Sequence, residues 1–206
     1  MGKYNQDSIE LIKSFIKMWH DAPEKDSAVK CLKTWNGFFD KDGLAYLLNQ
    51  TVRQLWIPVD HYFISDEAQK WWDEFAEGDI ITHFYKDPVY LKKEIENHPY
   101  YVGAEKEPRD YYPYKVGGHF SYRSFFHDEH IVPVYTIVDK LLKIDPFSDS
   151  VDSEIEEVLD KIRICKMKKK ENIGLPVKRT GDDYLKIINE IYEPKIHVKQ
   201  YITHQG

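Results

Sequence analysis

Sulfur chemistry has little material in this sequence. The only cysteines, Cys31 and Cys165, form no CxxC pair, which excludes a zinc knuckle and a disulfide framework. No apolar run approaches the ~20 residues that a membrane-spanning helix needs. The opening MGKYNQDS has no apolar core of a secretory leader, so a cytoplasmic protein without a membrane partner is expected. Internal repeats and low-complexity tracts are lacking too. Nor is positive charge in excess: the formal net charge is −6. Attraction for nucleic acid therefore has to come from a local patch.

Aromatic surface, by contrast, is abundant. Fifteen tyrosines, ten phenylalanines and five tryptophans bring the aromatic share to 15%, which argues against disorder. A chain of 206 residues is long enough to bury a core of its own. The patterning predicts an α+β fold, with a helical region over 1–98 and an α+β region over 99–206, the two packed as one compact unit.

Helical spacing dominates the first half. Asp7 with Glu10 three residues on reads as an N-cap, and Ile9, Ile12, Phe15, Ile16 and Trp19 then share a face. Further helices are predicted over Ser27 to Trp35 and from Leu44 to Trp56. Another is capped by Ser65, with Ala68, Trp71, Trp72 and Phe75 inward, and closes at Gly78. Asp87-Pro88 reads as a helix start. From His98 to Gly118, prolines 99, 108 and 113 interleave with five tyrosines, a long aromatic loop able to pin itself to the body or to offer a contact surface.

The stretch Gly117 to Val134 concentrates the chemistry. Phe120, Tyr122, Ser124 and Phe126 alternate with their neighbours, which predicts a strand. It runs into His127-Asp128-Glu129-His130, four side chains that bind protons or metal. Carboxylates are hard oxygen ligands suited to Mg²⁺ or Mn²⁺, and a neighbouring imidazole is suited to take a proton from water. Helices are predicted after Pro133 and around the capping pair Ser153 and Glu156. A strand over Arg163 to Met167 follows, then a helix through Tyr184, Ile187, Ile188 and Ile191, and a last strand at Ile196 to Ile202. Between Lys161 and Arg179, eight basic residues face Glu171 alone. Lys166, Lys168, Lys169, Lys170 and Arg179 are the expected phosphate contacts.

Asp128-Glu129-His130-Ile131-Val132-Pro133 resembles the Asp-His-Ile-x-Pro core of HNH (ββα-metal) endonucleases. Ile164-Cys165-Lys166 through Glu171-Asn172 is similar to the second strand and helix of their finger. The resemblance implies a metal-dependent nuclease acting on nucleic acid, DNA ahead of RNA. It makes His130 the base that activates water, and Glu129 and Asn172 ligands of one divalent ion, with Asp128 in place of Glu129 if the register shifts. Arg123 and His130 also resemble the Arg-x4–6-His signature of HEPN ribonucleases, which would make Arg123 a phosphate stabiliser in a metal-free site. A third reading is a non-enzymatic, acidic and aromatic-rich inhibitor or adaptor with a protein partner.

Overall fold

A computed structural model describes residues 4–22, 40–83, 87–92, 115–116, 119–173, 175, 181–192 and 198–200. The expected helix at Ser27 to Trp35, nearly all of the tyrosine loop, Cys31 and Arg179 lie outside the described residues. The fold is mixed α+β, as the patterning predicts. It divides into two compact units assembled from interleaved stretches of chain, rather than into halves that meet near residue 98.

The first unit comprises Met1–Pro58, Val132–Ile162 and Lys178–Tyr184. Its helices are α1 (Gln6–Asp21), α2 (Lys41–Arg53), α4 (Val134–Leu141) and α5 (Val151–Leu159). Each buries one stripe: Ile9, Ile12 and Ile16 from α1, Leu44, Leu48 and Val52 from α2, Ile137 and Leu141 from α4, Ile155 and Leu159 from α5. Burying a large aliphatic side chain is worth roughly 1.5–3 kcal/mol, so these stripes dominate the unit's stability. The caps differ in detail from the expected ones. Asn5, not Asp7, caps α1, its Oδ1 accepting from the Asp7 N–H at 2.9 Å. Asp40 caps α2 through the Gly43 N–H. That helix stops at Arg53, which leaves Trp56 outside it and 66% exposed. Helix α5 begins at Val151, so Ser153 sits inside the first turn, and Ser150 bonds Glu154 instead.

The second unit comprises Val59–Ile131, Arg163–Val177 and Leu185–Gly206. Its core is a four-stranded sheet in the order β5-β6-β1-β7, from β1 (Tyr62–Ser65), β5 (Phe126–His130), β6 (Ile164–Lys168) and β7 (Val198–Gln200). Strand β1 runs parallel to β6, whereas β5 and β7 are antiparallel to their neighbours. The sequence pattern does not announce β1, because Tyr62-Phe63-Ile64 is a short apolar run wedged between Pro58 and the helix cap Ser65. Helix α3 (Asp66–Phe75) follows it, with Ser65 Oγ accepting from the Ala68 N–H at 3.1 Å. Trp71 and Trp72 lay their rings against Phe126 of the sheet, at centroid distances of 5.2 and 5.6 Å.

A second, three-stranded sheet has the order β2-β4-β3, from β2 (Pro88–Val89), β3 (Lys115–Val116) and β4 (His119–Ser121). Two expectations are corrected here. Asp87-Pro88 opens a strand, not a helix; Pro88 lies on an edge strand, where a missing N–H is tolerated. And the alternating stretch through Phe126 is not one strand. It breaks after β4 into a 3-10 turn over Tyr122–Ser124 before β5 begins. The Tyr122 N–H bonds the Asp87 carbonyl at 2.8 Å, and its ring is buried, so the chain is pulled out of the extended path there. Two short helices follow, α6 (Lys169–Ile173) and α7 (Tyr184–Ile187), α7 running on as a π turn to Tyr192.

Candidate functional site on the β5–β6 pair

Register decides what the His127–His130 run can do. Phe126 pairs with Lys168, Asp128 with Lys166, and His130 with Ile164. Paired residues on neighbouring strands share a face, and successive residues alternate. One face of the sheet therefore carries Tyr62, Ile64, Lys166, Asp128 and His130. The other carries Phe63, Ser65, Cys165, Met167, His127 and Glu129.

On the first face the Lys166 ammonium is fully buried. It donates to the His83 carbonyl at 2.7 Å and to Asp128 Oδ1 at 3.2 Å, and lies 4.6 Å from the centre of the Tyr122 ring. The Tyr122 hydroxyl donates to the same carboxylate at 2.7 Å. Burial pushes the Lys166 amine below its ordinary range, with Asp128 opposing the shift. Burial also raises the Tyr122 phenol, assisted by the Asp128 charge, and takes Tyr62 up to about 12. Asp128 is thus the counter-ion of an internal cation.

The second face holds a different arrangement. His127 Nε2 lies 3.0 Å from Glu129 Oε2; the histidine side chain is 41% exposed and the glutamate 15%. Burial raises the Cys165 thiol, and the charges of Glu171 and then Glu129 add to the rise. Glu171 accepts from Ser65 Oγ and from the Lys168 N–H, both at 2.7 Å. That reach-back to the backbone at the start of α6 is the glutamate half of a capping box. Burial raises its carboxyl despite these donors.

The expected metal set can now be tested against this geometry. Glu129 and His130 are consecutive in a strand and point to opposite faces. Asn172 sits on α6, which begins where Lys168 meets Phe126, whereas His130 occupies the other end of the strand pair. Asp128, the alternative ligand, is engaged by Lys166 and Tyr122. No group of three or more His, Cys, Asp or Glu positioned for a metal occurs among the described residues.

The remaining candidates are scattered by the same register. Arg123 lies in the 3-10 turn. Of the basic segment, Lys166 is interior, and Lys168 pairs with Glu67 of α3 at 3.0 Å. Lys169 is partly exposed and Lys170 exposed, both on α6. Tyr122 and Glu171 were not singled out by sequence reasoning. The signal for Tyr122 was its place in the alternating run; for Glu171 it was a glutamate three residues after the strand's last lysine.

In class, this is an α+β protein with an antiparallel strand pair leading straight into a helix. Comparison with known proteins finds no matching family model, no matching curated protein and no matching solved structure. No helix among the described residues is long and apolar enough to cross a membrane.

Proposed function

We propose that the chain is a nuclease that hydrolyses phosphodiester bonds in nucleic acid. The observation that carries this reading is the order of elements. Strand β5 pairs antiparallel with β6, and α6 follows β6 without an intervening residue. That is the strand–strand–helix order of the ββα-metal finger, with α4 and α5 inserted between the strands in sequence. Lys169 and Lys170 give the helix a positive surface suited to a phosphate backbone. A divalent ion would supply charge stabilisation at the phosphate, with Glu129 and Asn172 the residues that would hold it.

The test is incubation of the purified chain with plasmid DNA and, separately, single-stranded RNA, each with Mn²⁺, with Mg²⁺ and with a chelator. Cleavage of either polymer supports the reading, and the chelator arm decides metal dependence. No cleavage under any of these conditions overturns it. A second reading, a protein-interaction module, is favoured by the exposure of Trp56 and Tyr46. It predicts a bound partner that Trp56→Ala releases. Arg123 and His130 lie in a turn and a strand, not in the helices that a HEPN-like site needs.

A further inference from the structure

We infer that His127, held by Glu129, is the group that accepts the proton of the attacking water; the assignment rests on the nuclease reading above. Three observations converge on it. His127 pairs with Met167, one position from the junction where β6 enters α6 and where the Lys169 N–H bonds the Phe125 carbonyl at 3.0 Å. It is therefore at the end of the strand pair next to the lysine-bearing helix, whereas His130 is at the far end. Its partner is the more buried of the two, so a carboxylate anchored in the sheet orients an imidazole open to solvent. And the contact uses Nε2. A carboxylate only accepts, so Nε2 carries the hydrogen and Nδ1 of the neutral ring keeps the lone pair.

This is the carboxylate–imidazole arrangement that fixes a tautomer for general-base work. In the step assigned to it, the water oxygen bonds phosphorus while its proton passes to Nδ1. The bond from phosphorus to the leaving sugar oxygen breaks, and that oxygen takes a proton from solvent. In this step Glu129 acts only through the imidazole. It is a positioning residue.

The experiment compares wild type, His127→Ala, His130→Ala and Glu129→Gln on whichever polymer the wild type cuts. His127→Ala should lose about 10²–10⁴ in kcat and regain part of it when free imidazole is added. His130→Ala should stay within about threefold of wild type, well short of a lost general base. Glu129→Gln should lower kcat with KM unchanged. Circular dichroism checks each fold, and His127→Ser, which leaves a similar opening for imidazole, replaces the alanine variant if that one does not fold. A wild type that cuts while the folded His127 variant cuts equally well, or loses activity that imidazole does not restore, overturns this assignment and spares the nuclease reading. A wild type that cuts nothing removes both.

Discussion

Lys166 and Asp128 meet across the β5–β6 pair, ammonium to carboxylate at 3.2 Å, with the lysine sealed from solvent and the aspartate 28% exposed. The asymmetry of exposure makes their removal unequal. Asp128→Asn strands a buried cation, and urea unfolding should show a loss of about 3 kcal/mol. Lys166→Met leaves a carboxylate that still reaches water and the Tyr122 hydroxyl, and should cost less than about 2 kcal/mol. Equal losses would mean that the pair is not what seats the lysine.

The salt dependence of nucleic-acid binding should come from α6. Lys169→Ala with Lys170→Ala is expected to flatten the log–log slope of affinity against salt by about two units, roughly one per lost phosphate contact. Lys166 has no place in that experiment: its substitution reports on folding. An unchanged slope in a filter-binding titration would show that the helix does not carry the contact.

Glu171 should leave a signature in stability against pH. Its folded carboxyl is raised above the ordinary glutamate value of about 4.3, chiefly by burial. From about that pH upward the folded state therefore holds more protons than the unfolded one, and stability falls as pH rises until the folded carboxyl has ionised. Glu171→Gln removes the titration and should flatten that decline in urea midpoints measured from pH 4 to 7. Glu171→Ala also deletes the cap on the Lys168 N–H and should be about 1 kcal/mol less stable than Glu171→Gln at every pH.

Gly78 has φ +75°, and an added Cβ would stand 3.6 Å from His83 Cε1, an ordinary contact. Space is therefore not the obstacle; the left-handed backbone is. Gly78→Ala should lower stability by about 1 kcal/mol. The Trp72 indole N–H bonds the Gly78 carbonyl at 2.9 Å, so the tryptophan's near-ultraviolet dichroism should report the disturbance. A neutral result would mean that the turn relaxes without strain.

The helices of the first unit were legible because each carries its own apolar stripe, and Ile9, Ile12 and Ile16 need no distant partner to declare a face. Strand β6 was legible for the same local reason, whereas the strand expected through Phe126 begins at that residue and runs on over His127–His130. What the pattern could not supply was pairing. Tyr62-Phe63-Ile64 becomes a strand only because Cys165 and its neighbours lie alongside, and Asp87-Pro88 turns extended only because Ser121 and Phe120 accept it. The candidate site was half readable. A strand at His127–His130 already implies that His127 and Glu129 share one face and Asp128 and His130 the other. Which face meets α6, and that Lys166 fills the space beside Asp128, depend on the register between β5 and β6, and no local spacing encodes that.

The parallel pairing of Phe63 with Cys165 has a consequence for biosynthesis. A ribosome adding about 5–20 residues per second releases β1 and then needs roughly 5–20 seconds more to deliver the strand it lies against. Through that interval Tyr62, Phe63 and Ile64 have a nascent chain, but no sheet, to hide in. Helices α1 and α2 can form early from local contacts, whereas closing so long a loop makes the sheet the slow step. The exposed apolar strand in that waiting period is where a chaperone would bind first, and where overproduction at high temperature would begin to aggregate.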